Sequence, residues 1–479
     1  MLRKLARRVF FVLVGLAVIG GILYAAGLRI VQYGGGGIQF AFTKSVDQRA
    51  VEIEKHREAQ RAQAPPPAPA QSAPETAASS ASAAVEKRSP APRRASTYWT
   101  NFRGPDRDGH YRQQPVRTDW GPALTPLWKQ PVGGGYASFV IADGQAFTIE
   151  QRGRREVAAA YDLATGRELW TTAWNALFQE NGAGPRATPA WHDGRLYVLG
   201  ATGEFRALDA ATGRTVWRTD ILADAGAGNL DFGTSASPLI VDNTVVVVPG
   251  GANGQSVVAY DRQSGKRVWG ALDDPASYSS PMLVTLAGVR QILTFTESRL
   301  VGLSPENGRL LWEFPWSMPN MASQPLIAGP DRVFISAGGG MDAAMLELAA
   351  GADGHLAARE LWRTNRMNTD FTSAVLHEGF IYGLDASILS CVDASNGESK
   401  WKGGRYGYGQ VMLASGHLIV LTEQGELALV RADPKGHQEI TRFRAIEGKT
   451  WNHPAMSDGI LLIRNAEEMA AFDLRKGMK

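Results

Sequence analysis

The chain has 479 residues with 50 basic and 47 acidic side chains. Its formal charge of +3 leaves no basic footprint for nucleic acid. A single cysteine, Cys391, excludes an internal disulfide framework and a thiolate metal centre. The chain opens on basic MLRKLARR, followed over residues 9–28 by an uncharged apolar run. At about 1.5 Å per residue that run reaches roughly the 30 Å of a bilayer core. No A-x-A site follows it, and Arg3, Lys4, Arg7 and Arg8 precede it. It predicts an uncleaved transmembrane anchor within residues 1–30, single-pass in the inner (cytoplasmic) membrane, with the remainder in the periplasm or outside.

Residues 31–63 then read as a juxtamembrane segment. YGGGG at 33–37 has no following helix with Lys-Ser or Lys-Thr, so it predicts a flexible turn rather than a phosphate loop. Residues 44–63 are charge-rich and free of Pro and Gly, which suits a short solvated helix without a coiled-coil stripe. Residues 64–97 are rich in Ala, Pro and Ser and cannot bury a core, so a disordered linker is expected. WTNFRGPDRDG, from Trp99 to Gly109, has little strand pattern and reads as a plug packed across the folded part.

From residue 98 to 479 the chain repeats itself. YDLATGRELW ends at Trp170, LDAATGRTVW at Trp217, YDRQSGKRVW at Trp269, LSPENGRLLW at Trp312 and VDASNGESKW at Trp401. Looser copies end at Trp362 and Phe443, and an orphan LTPLW ends at Trp128. The steps from Trp128 to Phe443 are 42, 47, 52, 43, 50, 39 and 42 residues, the period of a propeller blade. Inside each copy, Asp-x-x-Thr-Gly makes a tight turn with a positive-φ glycine, and the Trp lies on the strand that follows. A strand–turn–strand unit precedes each copy, beginning at Ser138, Thr188, Ser237, Ser280, Gln324, Ser373, Gln410 and His453. The eighth unit lacks a Trp strand, and the orphan Trp128 strand would complete it and remove an open edge. The expectation is an all-β, eight-bladed propeller closed by its N-terminal strand.

These repeats, of the form A-x-D-x-x-T-G-x-x-x-W, resemble the tryptophan-docking repeats of the pyrroloquinoline-quinone-like (PQQ-like) propeller family. YWTNFRGPDRDGHY, GPRATP (184–189) and AGVRQI (287–292) are similar to its bacterial subgroup. That family includes quinoprotein alcohol dehydrogenases and the propeller lipoprotein of the outer-membrane β-barrel assembly machine. The resemblance implies a fold and leaves the activity open, because members with and without the cofactor share the repeats. Trp128, Trp170, Trp217, Trp269, Trp312, Trp362 and Trp401 recur at one blade position and are expected to wedge blades together.

Ligand positions are expected where the innermost strands begin. Tyr136, Arg186, Tyr278, Asn320, Asp370, Tyr408, Trp451, Asn452 and His453 are the candidates, with Gly233, Thr234, Met321, Phe371 and Tyr406 beside them. An aromatic, amide-rich mouth suits a planar ligand or a partner's loop. A quinoprotein dehydrogenase would need PQQ, a calcium ion on oxygen ligands and an Asp base, for which Asp370 is the candidate. The lone Cys391 forbids the vicinal disulfide of those enzymes, and no C-x-x-C-H haem motif is present. The eight histidines show no metal-ligand spacing, and no catalytic residue or metal is assigned. The reading is a membrane-tethered, non-catalytic platform for envelope proteins or an extracellular polymer, with PQQ-dependent alcohol oxidation as the alternative.

Overall fold

Each repeat becomes one antiparallel sheet. In the computed structural model, which describes residues 13–14, 18–34, 38–63, 98–121, 124–179, 182, 184–317, 321–338, 342–351 and 356–477, eight such sheets form the blades of a propeller. Blade one is Val140–Ala142, Gln145–Arg152, Arg155–Asp162 and Glu168–Asn175, hydrogen-bonded in that order. The next six cover residues 190–220, 239–271, 282–315, 326–364, 375–405 and 410–444. The three inner strands are buried along most of their length, while the outer strand alternates between partly buried and exposed residues. That difference follows from neighbouring sheets covering both faces of the inner strands only. The buried apolar clusters accordingly span facing blades, as Val140, Phe147 and Ala160 of blade one do with Leu196, Val198 and Leu208 of blade two.

Blade eight joins the two ends of the repeat region. Trp128–Pro131 pairs antiparallel with Glu468–Asp473, with Trp128 opposite Ala471 and Pro131 opposite Glu468. The orphan strand therefore closes the ring where the sequence places it.

The outer turns explain the repeat's spelling. In blade one Asp162 accepts hydrogen bonds from the Thr165 backbone N–H (2.9 Å) and hydroxyl (2.7 Å), and Gly166 takes φ +71°. Blades two and three repeat this with Asp209, Thr212, Gly213 and Asp261, Ser264, Gly265. A Cβ on Gly213 would lie 2.4 Å from Trp170 of the preceding blade, and one on Gly265 would lie 2.7 Å from Trp217. Glycine is thus needed twice over, for its φ and for the indole above it. The indole N–H groups of Trp128, Trp170, Trp217, Trp362 and Trp401 donate to Leu163, Ala210, Arg262, Ala394 and Asp433 carbonyls of the following blade. Trp312 instead donates to Gln291 of its own blade. The residue paired with the Trp across the sheet is small in five blades, Ala160, Ala207, Ala259, Gly302 and Ala471, and a bulge follows the first four.

The lead-in segment lies across the central channel. Trp99 bridges Ile141 of blade one, and His110–Tyr111 adds a parallel strand to blade seven. Two buried guanidinium groups fix the plug: Arg103 donates to the Ala374 carbonyl at 2.7 Å, and Arg107 donates to Pro281 at 2.9 Å and to Pro238. Phe102 meets the His453 ring edge-on at 5.2 Å. Around the channel, hydroxyls at the starts of the innermost strands accept from the preceding blade, Thr188 from Ser138 N, Ser237 from Thr188 N and Ser280 from Ser237 N, each at 2.9 Å.

The N-terminal region departs from the expectation of an inner-membrane anchor. Among the described residues no helix is long and apolar enough to cross a membrane. The described helical residues 18–25 end at Gly27 (φ +98°), and Leu28 already begins strand β1 (Leu28–Gln32), which pairs with β2 (Ile38–Phe42). Residues 1–12 and 15–17, like the linker at 64–97, lie outside the described residues. Helix α1 (Val46–Gln63) is present where a solvated helix is predicted, but one face docks on blades eight and one. Ile53 and Arg57 are buried there, and Arg57 reaches the Pro131 carbonyl at 2.9 Å.

Candidate functional site

Loops leading into the innermost strands converge at one mouth of the channel. Their aromatic residues form a continuous arc. Tyr408 stacks on Phe371 (centroids 5.3 Å, 17° between planes), Phe371 meets Trp451 at 4.7 Å, and Trp451 meets Tyr136 at 5.4 Å. Arg186 extends the arc, its guanidinium lying 5.3 Å from the Tyr136 ring, 5.0 Å from Phe178 and 5.9 Å from Phe232. Phe232 then packs on Tyr278 at 5.4 Å, and the Tyr278 hydroxyl accepts from Phe232 N at 3.3 Å. Stacking a delocalised cation among three rings is favourable when water is largely excluded.

Charged groups punctuate this arc. Lys449 Nζ lies 3.3 Å from the Trp451 ring centre. Burial lowers its pKa to about 8, helped by Arg186 and opposed by Glu423. Glu423 is 3 % exposed and accepts from Trp451 Nε1 at 2.9 Å, Tyr408 N at 3.2 Å and Gly34 N at 2.7 Å. Burial pushes the Tyr408 hydroxyl up to about 12, together with the charge of Asp370 and its hydrogen bond. Burial also lowers the Arg186 pKa, with Tyr136 and Tyr278 opposing the shift.

Of the residues selected from sequence, Tyr136, Arg186, Tyr278, Asp370, Tyr408 and Trp451 stand on this arc or touch it. Asn452 and His453 do not. Asn452 is fully buried and donates to the Gly135 carbonyl (3.1 Å) and the Ala137 carbonyl (2.9 Å), tying blade eight to blade one. The His453 carbonyl accepts from the Ser138 hydroxyl at 2.6 Å, and burial drives its imidazole towards the neutral form. Asn320 lies outside the described residues. Tyr406 packs between blades six and seven, with its hydroxyl on Glu439 of the outer strand of blade seven at 2.6 Å. Sequence reasoning missed Phe178, Phe232 and Lys449, which lie in connections between blades, Glu423 in a turn within blade seven, and Gly34 ahead of the propeller.

The family model described as outer membrane protein assembly factor BamB, a PQQ-like repeat model, matches residues 153–403. The chain belongs to this family. Its match to BamB of Burkholderia pseudomallei is 25% identical over 252 residues, 43% of this chain and 62% of that protein. BamB of Yersinia pestis is 23% identical over 58% of this chain and 71% of its own. Quinohemoprotein alcohol dehydrogenase ADH-IIG of Pseudomonas putida is 30% identical over 28% of this chain, but over only 19% of its own length. Among solved structures, BamB of Moraxella catarrhalis superposes with TM-score 0.54 at 15% identity, over 73% of this chain and all of that one. Quinohemoprotein alcohol dehydrogenase of Comamonas testosteroni gives 0.56 at 13% identity, over 80% and 81%. Those two likenesses concern the fold.

The dehydrogenase relatives make the cofactor a question of fit. A quinone bound with calcium needs an open aromatic face and several converging oxygen ligands. In this family member one face of Trp451 is covered by Lys449, and Tyr136 and Phe371 pack beside it. Asp370 is engaged with Tyr408, and the Asn452 amide is spent on backbone carbonyls. Among the described residues no three His, Cys, Asp or Glu side chains gather as a metal site. The described mouth residues do not fit PQQ with calcium.

One carboxylate away from the mouth has a charge state near its tipping point. Glu156 is fully buried between blades one and two and accepts from Ala201 N (2.8 Å) and Trp174 Nε1 (2.9 Å). Burial pushes its pKa up to about 7 against those two bonds. With the folded pKa above the ordinary value of 4.5, the stabilising contribution is present below that value and is lost as pH rises through about 7. Thermal melts across this window should show Glu156→Gln flattening the decline, by up to about 3 kcal/mol. An identical pH slope in the variant would show that Glu156 stays ionised throughout.

Proposed function

We propose that this BamB-family propeller is a non-catalytic binding platform of the cell envelope, holding proteins of outer-membrane assembly at its aromatic mouth. The observation that carries the reading is the arc from Tyr408 to Tyr278, drawn from loops of seven blades and centred on Arg186. Aromatic rings and a ring-stacked arginine are the residue types that dominate protein–protein binding energy. The names of the Burkholderia and Yersinia relatives support the same assignment of partner class.

A photo-crosslinking residue placed at Tyr278 in living cells should trap a β-barrel assembly component. The same residue at exposed Val268, on the outer strand of blade three, should not. Arg186→Ala should weaken the captured complex about 30-fold, the effect of a hot spot of about 2 kcal/mol. Recovery of the uncrosslinked monomer alone from the Tyr278 position would reject the platform.

A further inference from the structure

The mouth already holds a piece of backbone. Strands β1 and β2 bring Tyr33 and Gly34 to the rim, where Gly34 N donates to Glu423 Oε1 at 2.7 Å. The contact joins positions 389 residues apart. A Cβ added to Gly34 would lie 1.8 Å from Cδ2 and 2.3 Å from Cε2 of Tyr408, so the backbone lies against that ring and a side chain there would force the ring to move. The Tyr408 ring stacks on Phe371, and its backbone N–H is tied to Glu423, so the ring cannot swing away without losing that stacking. Glu423 is buried and gathers its three N–H donors from three separate segments. Removing Gly34 would take one donor from a buried carboxylate and uncover an aromatic face. Both effects favour refilling by another N–H on a side-chain-free residue.

The hairpin is delivered by an anchored element. Helix α1 is fixed to blades eight and one by Arg57, which pairs with Glu168 at 3.4 Å and bonds Gln130 at 2.8 Å. Arg49 adds the Ala466 carbonyl at 3.1 Å and Glu467 at 2.6 Å. Only a few residues separate β2 from α1, so Gly34 stays near the rim at high effective concentration.

We propose that the Glu423–Tyr408–Trp451 corner is a capture site for a glycine-bearing turn of a peptide chain, and that the chain's own Tyr33–Gly34 turn fills it in cis. A partner loop of the same chemistry enters by displacing the hairpin, which makes the hairpin an inhibitory contact. This rests on the platform reading and specifies what the platform takes.

The test uses the full-length chain and a fluorescein-labelled peptide, IVQYGGGG, copied from residues 30–37. Gly34→Val expels the cis turn, and the labelled peptide should then bind about tenfold tighter than it binds the unsubstituted chain, by fluorescence anisotropy. Adding Glu423→Gln to Gly34→Val should abolish that gain, and a peptide with Val at its first glycine should bind neither chain. Equal peptide affinity for the Gly34→Val and unsubstituted chains, or indifference to the Val-bearing peptide, overturns the proposal. Crosslinking at Tyr278 separates the two readings. Partner trapping that rises in Gly34→Val supports inhibition in cis, and equal trapping overturns it while leaving the platform intact. Trapping by neither chain removes both.

Discussion

Trp217→Ala is expected to lower the unfolding free energy by about 3–5 kcal/mol, seen as a lower denaturant midpoint with little change in slope. Trp217 is 8 % exposed, packs edge-on against Phe205 at 5.3 Å and lies 6.1 Å from Tyr197. Its indole covers Gly265 of blade three and donates to the Arg262 carbonyl at 3.0 Å. Alanine removes the ring, opens a cavity between two sheets and takes one of two donors from the Arg262 carbonyl, which keeps the Tyr197 hydroxyl at 3.0 Å. The backbone on both sides is held by its own ladder, so little collapse can refill the space. Two comparisons isolate the parts. Trp217→Phe keeps most of the ring and loses the hydrogen bond, so it should recover most of the loss. Trp269 is equally buried, but its Nε1 has no hydrogen-bond partner among the described residues, so Trp269→Ala should cost less by about 1 kcal/mol. A loss below about 1 kcal/mol at Trp217 would mean that the blades hold together without the indole wedge.

The same residues explain what is legible in the sequence. A blade carries its own instructions: Asp162 and Thr165 shape the turn, Gly166 accepts the left-handed conformation, and Trp170 follows at fixed spacing. Because those instructions are local and recur in five clear copies and two looser ones, blade number and the closing strand at Trp128 could be counted from the sequence. The mouth was half legible for a related reason. Tyr136, Arg186, Tyr278 and Trp451 stand just before innermost strands, and strand order alone puts that position on the rim. Phe178, Phe232 and Lys449 sit in connections of unequal length, where no period fixes a place. Asn452 obeyed the positional rule, yet its side chain turned to the Gly135 and Ala137 carbonyls, because an unpaired seam between the last and first blades needed a donor there. YGGGG read as a flexible turn because composition speaks only of neighbours, while the contact of Gly34 with Glu423 lies hundreds of residues away. The apolar run at residues 9–28 misled by length alone. Hydropathy cannot see that Gly27 turns the backbone and that Leu28 pairs in a hairpin.

Glu150→Gln should cost about 3–5 kcal/mol at neutral pH, by stranding buried cations at the seam where the ring closes. Glu150 is fully buried and accepts from Gly133 N (2.7 Å), the Tyr161 hydroxyl (2.9 Å) and Arg152 Nε (2.7 Å). Arg152 also bridges Glu168 at 2.5 Å, and Arg57 of α1 reaches the same Glu168 at 3.4 Å. Buried Arg464 of blade eight completes the group, bonding Thr148 and the Gly133 carbonyl, each at 2.7 Å. Three guanidinium groups therefore share two carboxylates. Burial alone would raise the Glu150 pKa, but Arg152, Arg464 and Arg57 outweigh it and hold the carboxyl below its ordinary value. A depressed folded pKa means that this stabilisation is present above the ordinary glutamate range and is lost as pH falls through the folded value. Urea unfolding should accordingly show the unsubstituted chain weakening below about pH 4.5, with Glu150→Gln already weak and less sensitive there. Equal stability of the two chains at neutral pH would mean that desolvation cancels the pairing, as it does in some buried ion networks. Because Arg57 belongs to this group, loss of Glu150 should also loosen α1 and, with it, the hairpin that places Gly34 in the mouth. Faster proteolysis of residues 46–63 in Glu150→Gln than in the unsubstituted chain is the corresponding observation. An unchanged rate would place the grip on α1 with Arg49 and Glu467 instead.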